Sequence, residues 1–455
     1  MARIALGLLA GLAVTGSAGA VGLDAGAAAG NLAEAEKPVV GDILPLKERA
    51  RVQDAWLKER LDTIVPALMR ANGVDMWVLV AREYLEDPVV ATMLDAESMR
   101  ARRTTILIFF DPGGGKPIER LTVSRYGLGG LFAPSWDPGA QPNQWARFGE
   151  IVAERNPRRI AINSSGLTAF GDGMTLSQHQ ALVAALPEAL RGRVVPTDAL
   201  AVGWLETRIP AELEVYPSIV RLAHAIIAEG LSAKVISPGV TKAEDVVWWF
   251  RERIAGLGLA TWFQPSLGIA RCGSTEMLEG DVVIEKGDML WTDFGITYLG
   301  LNTDTQHLAY VLRDGETDAP AGLKAGLKAA NAVQDALTAS FKAGLSGNAV
   351  LAAARARAIA AGHRPTIYSH PIGYHGHGAG PAIGFWDNQG ESPTGTMTIN
   401  PNTAWSIELS AALAVPEWDG QLVDFRLEED AWFDGRSVTY LDGRQSDFHL
   451  IGAPR

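Results

Sequence analysis

Apolar residues recur at helical spacing through "VQDAWLKERLDTIVPALMRANG", residues 52–73, and Gly73 closes the pattern. The runs "MWVLVA" and "RTTILIFFD" that follow are short, apolar and rich in strand formers, which suits buried strands. "FGEIVAERNPRRIAINSS" reads as helix then strand, and "SQHQALVAALPEALRGRVVPTD" repeats that order. Residues 46–205 are therefore expected to form one α/β domain, with the Trp- and Pro-rich stretch "FAPSWDPGAQPNQW" as a surface excursion.

Beyond residue 205 the rhythm changes. "PAELEVYPSIVRLAHAIIAEGLSAKV" predicts a helix started or interrupted near Pro217. "TKAEDVVWWFRERIAGLG" predicts another, with Thr241 and Glu244 at capping-box spacing. "GDMLWTDFGITYLGLNTDTQHLAYVL" is dense in strand formers around a turn. A second helix pair is expected near 322–344 and 347–361, followed by strands to the C-terminus. Two helices then strands, twice over, predict an internally duplicated α+β domain over residues 206–455.

The opening segment differs from both halves. Arg3 precedes an apolar run from Ile4 to Gly16, and Ala18-Gly19-Ala20 ends it with small residues. That pattern predicts a signal peptide over residues 1–20, too short to span a bilayer, and then a linker over residues 21–45. The mature chain is expected to be exported, periplasmic or extracellular, with no stable membrane insertion.

At 455 residues the chain has room for two domains, and 47% hydrophobic with 20% charged residues is the profile of a folded globular protein. A formal net charge of −12 and the lack of any basic run interleaved with aromatics exclude nucleic acid as an expected partner. Cys272 is the only cysteine, so no intramolecular disulfide can form, and a buried thiol is expected.

Candidate chemistry is concentrated in the second half. A turn centred on Tyr298-Leu299 would set Asp293 and Asp304 directly opposite on one face, where two like charges repel unless a cation lies between them. Glu408, in "TAWSIELSAAL", and Glu428, in "LVDFRLEEDAWF", sit between hydrophobic neighbours, where a carboxylate is costly unless paired or ligated. "SHPIGYHGHGAG" adds His370, His375 and His377 among glycines that keep the backbone bare. Together these are the oxygen and imidazole donors that hold divalent first-row metals. The plain alternative pairs Glu428 with Arg426 and turns Glu408 to solvent.

"TDFGITYLGLNTD", "HGHGAG", "SIELS" and "RLEED" resemble, in that order, the metal-ligand motifs of the M24 metallopeptidases. That family includes Xaa-Pro aminopeptidases, prolidases and creatinase. The resemblance implies an α+β chain with a C-terminal pita-bread fold and an N-terminal α/β creatinase-like domain. It also implies a metal set of Asp293, Asp304, His377, Glu408 and Glu428, with Asp304 and Glu428 bridging. Two divalent ions are implied, Mn²⁺ first, with Zn²⁺, Co²⁺ or Fe²⁺ as alternatives. Glu408 would also act as the base, His370 or His375 would face the oxyanion or substrate, and Arg426 would hold Glu428 or a substrate carboxylate. The implied activity is hydrolysis of the bond before proline in a peptide substrate, by a homodimer.

The chain departs from the family pattern in three places. No histidine lies between Thr261 and Asp293, where family peptidases carry one. A further family histidine falls here on Gly384, and Tyr374-His375-Gly376 is inserted before the matched ligand. These departures keep two other readings open: a pita-bread enzyme acting on a small non-peptide molecule, lyase-like or creatinase-like, and a non-catalytic binding protein.

Overall fold

A computed structural model describes residues 43–452; the expected signal peptide and nearly all of the expected linker lie outside the described residues. The first helix, α1 (Leu46–Ala71), buries one stripe, Trp56, Leu57, Leu61, Ile64, Val65 and Met69. These positions recur three or four residues apart, which is why the segment is helical and why only that face meets the core.

Behind α1 lies a six-stranded sheet of β1 (Met76–Arg82), β2 (Thr104–Phe110), β3 (Glu119–Thr122), β4 (Ala133–Pro134), β5 (Ile160–Asn163) and β6 (Val194–Thr197). Its order is β4-β3-β2-β1-β5-β6, with β5 parallel to both β1 and β6. The helices α2 (Pro88–Ala91), α3 (Gln144–Arg155), α4 (Leu176–Ala185) and α5 (Glu188–Arg191) connect these strands. β1 is buried along nearly its whole length, as a strand covered on both faces must be.

After α6 (Ala199–Glu206) come α7 (Pro210–Gly230) and α8 (Ala243–Gly256). Pro217 sits inside α7 without ending it. α8 begins one residue later than the expected capping box: the Lys242 main-chain N–H donates to the Asp245 carboxylate at 2.9 Å, and the Thr241 hydroxyl instead accepts from Ser237. The second helix pair is α9 (Ala321–Thr338) and α10 (Gly347–Ala360), the former ending six residues earlier than expected.

The second sheet runs β12 (Pro365–Ile367), β14 (Thr403–Val415), β15 (Gln421–Phe433), β11 (Thr305–Val311), β8 (Met289–Phe294) and β7 (Ser266–Ala270). β13 (His370–Ile372) also pairs with β14, β16 (Val438–Tyr440) with β15, and β17 (His449–Ile451) with β11. α9 packs Leu323, Leu327, Val333 and Leu337 against Ile407, Leu409, Phe425 and Leu427 of the long hairpin. α7 and α8 belong with α1 to the other large core. The described residues form one compact unit. No helix among them is long and apolar enough to cross a membrane.

Two expectations need correction. Cys272 is exposed, on a turn after β7, rather than buried. The hairpin from β8 to β11 also turns one residue later than expected. The two-residue strands β9 (Thr297–Tyr298) and β10 (Leu301–Asn302) meet through Leu299 and Gly300, both at positive φ (+54° and +84°). Two left-handed residues give the turn the strands' own twist. Moving the turn by one residue moves each partner by two, so Asp293 faces Gln306 and not Asp304.

Candidate metal centre

One transverse row of paired residues crosses the second sheet. Glu408 pairs with Glu428, Glu428 with Gln306, Gln306 with Asp293, and Asp293 with Ser266. Residues paired across antiparallel strands project to the same face, so the register itself gathers three carboxylates and an amide. Asp304, just ahead of β11 and two residues before Gln306, joins them on that face. Ligand atoms of Asp293, Asp304 and Glu428 all come within 4.8 Å of one another, and so do those of His370, Glu408 and Glu428. A third such group is Asp304, His370 and His377.

Burial makes this arrangement costly as it stands. Asp304, Glu408 and Glu428 are each pushed well above the usual carboxylate range, first by burial and then by the charges of Asp293 and of one another. Asp293 is raised by burial too, with the Arg426 charge acting in the opposite sense. Some of the oxygens are held: Gln306 Nε2 donates to Glu408 Oε1 and Glu428 Oε2, both at 2.7 Å, and accepts from Trp291 Nε1 through its own Oε1 at 2.9 Å. Trp386 Nε1 donates to Glu408 Oε1 at 3.0 Å, and the Ser406 hydroxyl donates to Glu428 Oε1. Asp293 Oδ1 is buried with no hydrogen-bond partner.

His370 completes the set. Its Nδ1 lies 3.0 Å from the Pro371 carbonyl, which can only accept, so the proton is on Nδ1 and Nε2 carries a lone pair. That Nε2 has no hydrogen-bond partner and stands 3.5 Å from Asp304, 3.9 Å from Glu428 and 4.0 Å from Glu408. Burial, and next the charge of His377, lower its pKa to about 3, so the ring is neutral at physiological pH. An unprotonated nitrogen aimed at three crowded carboxylates is the donor set of a divalent cation. The residues present fit the metals implied by the sequence.

Residues 218–433 match the Metallopeptidase family M24. That region is an M24 metallopeptidase domain. No curated protein matches it. Among solved structures it is similar to an X-Pro aminopeptidase from Thermotoga maritima, at 16% identity and a TM-score of 0.60 over 85% of this chain and 100% of the other. A dipeptidase from Pyrococcus horikoshii aligns at 17% identity and a TM-score of 0.58, covering 86% and 99%. An Xaa-Pro dipeptidase from Bacillus anthracis aligns at 16% identity and a TM-score of 0.56, covering 90% and 100%. These likenesses are of fold. The matched region is of the metal-dependent peptidase class, and the pita-bread fold expected from its motifs is the fold observed.

Within the M24 centre the three histidines take different places. His370 lies among the carboxylates, on β13 opposite Ser406. His377 is exposed, its ring 4.5 Å from that of His370 and 5.0 Å from Trp262, at the mouth of the site. His375 is buried away from the carboxylates against Phe170; its Nδ1 donates to the Gly376 carbonyl, and burial lowers its pKa to about 4. The glycines between them are needed for different reasons. A Cβ on Gly376 would lie 2.2 Å from the Trp262 ring, whereas Gly378 has a φ of +91° that other residues rarely adopt. Arg426 does not sit in an ion pair with Glu428 among the described residues; its guanidinium lies over the rings of Trp291 and Trp386, 5.0 and 5.5 Å from their centroids.

Sequence reading passed over Gln306, Ser406, Trp386 and Tyr368. Tyr368 stacks between His370 and Phe385, and its hydroxyl is pushed up by burial and by the charges of Glu408, Glu428 and Asp304. Gln306 had a signal, since a polar residue two positions after Asp304 in "TDTQHL" must share its face. The others come from segments whose proximity depends on β13 and β14 pairing.

Proposed function

We propose that this chain is a dinuclear metallopeptidase that hydrolyses the bond preceding proline, as an Xaa-Pro aminopeptidase or dipeptidase. The observation that carries the metal count is the sharing of ligands: Glu428 and Asp304 each belong to two overlapping donor groups, as bridging carboxylates would. We assign Asp293, Asp304, His370, Glu408 and Glu428 as the ligands, with His370 rather than His377 as the imidazole donor. The exposed His377 then faces substrate. The substrate class rests on the X-Pro and Xaa-Pro enzymes among the fold relatives.

Bound divalent ions supply Lewis acidity and lower the pKa of a coordinated water toward neutrality. The chain's own groups do the rest. Glu408 Oε1 is occupied by Gln306 and Trp386, which leaves Oε2 to accept a proton and pass it to the leaving amine. His377 and the Tyr368 hydroxyl line the mouth and can donate to the developing oxyanion. Arg426 is set to receive a carboxylate of a short substrate.

A second reading, a small non-peptide substrate, is favoured by one feature. No histidine lies between Thr261 and Asp293, where family peptidases carry one, whereas with His370 as the ligand the family's further histidine falls on His377. One member of the family's substrate-facing set is therefore missing from the sequence. A panel of Xaa-Pro dipeptides, longer Xaa-Pro peptides and non-peptide amidines or sulfonium compounds, each with added Mn²⁺, Zn²⁺, Co²⁺ or Fe²⁺, separates the two. Turnover of peptides lacking proline at the same rate as Xaa-Pro peptides, or of non-peptides alone, would refute the first reading. Export of the mature chain is part of the proposal, and its test is the N-terminus of the protein recovered from its native host.

A further inference from the structure

The strands that build the metal centre also carry the residues that follow each member of its row, and these point the other way. Gln306 and Glu428 face the centre; His307 and Glu429 face the side covered by α7, which contributes His224. His224 Nε2 lies 3.2 Å from Glu429 Oε2, and His307 Nε2 lies 3.1 Å from Glu429 Oε1. The ligand atoms of the three residues all lie within 4.8 Å of one another. From this geometry we infer a separate site for one divalent transition-metal ion of the Zn²⁺ or Co²⁺ type, held by His224, His307 and Glu429.

Three observations support a cation there rather than a set of hydrogen bonds. First, His224 Nε2 and Glu429 Oε2 are both buried and, although 3.2 Å apart, satisfy no hydrogen-bond geometry with each other or with any described group. The His307–Glu429 contact at 3.1 Å is a hydrogen bond as it stands, and separations of 3.1 and 3.2 Å also match the edge between ligands that are each about 2.0–2.2 Å from a metal. Second, each imidazole is gripped at its far nitrogen: His224 Nδ1 is 3.1 Å from Asp442 Oδ2, and His307 Nδ1 is 3.2 Å from His449 Nε2. An outer group that fixes the tautomer and orientation of a histidine is the usual companion of a metal ligand. Burial opposes protonation of His224, but the flanking Asp442 and Glu429 carboxylates raise its pKa to about 10, so a cation binding at Nε2 takes the place of a proton there.

Third, the site has an entry. Glu429 is fully buried, but the side chains of His224 and Asp442 are each about 15% exposed, so a hydrated ion can arrive from their side and keep a water as a further ligand. Imidazole nitrogens with one carboxylate select borderline ions over Mg²⁺ or Ca²⁺. Such an ion would tie α7 to β11 and β15, and through His449 to β17 near the C-terminus. Its role is therefore that of a clamp on the helix-covered side, not of a reagent.

The test uses the full chain stripped of metal and then dialysed against Zn²⁺ or Co²⁺ alone. The double variant Asp293→Asn/Asp304→Asn disables the centre proposed above, and it should still retain one equivalent of Zn²⁺ per chain and show a higher melting temperature with it. Adding His224→Ala to that variant should abolish the remaining equivalent. Asp442→Asn, which keeps all three ligands, should weaken that binding by about 10–100-fold. His224→Ala in the otherwise native chain should lower the bound metal by one equivalent without a comparable loss of peptide turnover. A folded double variant that holds no Zn²⁺ and gains no thermal stability from it would overturn the inference. So would undiminished binding after His224→Ala. Neither result bears on the peptidase reading, which is decided by turnover of the native chain.

Discussion

Gln306 offers the most direct check on how the centre is held. Its amide donates two hydrogen bonds of 2.7 Å to Glu408 and Glu428 and accepts one from Trp291. Replacing it with methionine keeps the length of the side chain and removes all three. Hydrogen bonds to charged groups are worth about 1.5–3 kcal/mol each, so the two carboxylate bonds set a gross ceiling of about 3–6 kcal/mol. The net effect is smaller, because Glu428 keeps Ser406 and Glu408 keeps Trp386 as donors. Loss of such an outer partner lowers metal affinity or activity by about 10–100-fold, equivalent to about 1.4–2.7 kcal/mol. The assay is a Mn²⁺ titration of the metal-stripped Gln306→Met variant, followed by turnover of an Xaa-Pro peptide. Gln306→Glu should be worse, since it adds a further carboxylate to the row. Half-saturation and turnover both within twofold of the native values would refute the view that Gln306 sets the charge and orientation of these two ligands.

His370→Ala should strip metal and activity together, whereas His377→Ala should keep metal content near native and lower turnover by about 10²–10³-fold, the scale of one lost oxyanion donor; metal analysis with kinetics on the two variants decides it. Asp304→Ala should abolish two-metal binding while leaving the circular dichroism spectrum native, and retention of two ions at native affinity would remove Asp304 from the bridge. Metal-free protein should become less stable as pH rises. Asp304, Glu408 and Glu428 hold protons more tightly folded than unfolded, so their contribution is full below the ordinary carboxylate range and is lost as pH climbs through their raised values, with Asp293 near 7. Urea unfolding in chelator at pH 5 and pH 8 should show that fall, and saturating Mn²⁺ should flatten it. Glu212→Gln should cost about 3–5 kcal/mol in urea unfolding, because it leaves the buried Arg60 guanidinium, 2.9 Å from Glu212, without its counter-charge.

What the sequence determined by itself was the set of elements and the chemistry they carry. Helical and alternating periodicities marked α1, α7, β1 and the β8–β11 hairpin, because burial on one face leaves its period in the chain. Glu408 and Glu428 were legible because each stands among hydrophobic neighbours where an unpaired charge is not tolerated, and Asp293 and Asp304 because a hairpin carries both to one face. Local pattern could not fix register. One residue of difference in the turn at Leu299-Gly300 moved Asp293 from Asp304 to Gln306, and only the strand pairing shows it. Nor could spacing choose among His370, His375 and His377, which lie within eight residues of one another in a glycine-rich run. Their ranking came from which ring β13 carries into the sheet beside Ser406, and from which nitrogen the Pro371 carbonyl leaves bare. The cluster of His224, His307 and Glu429 was beyond sequence altogether. Its members are 83 and 122 residues apart in order along the chain (307 − 224 and 429 − 307), and they meet only because α7 folds across the far side of the same two strands.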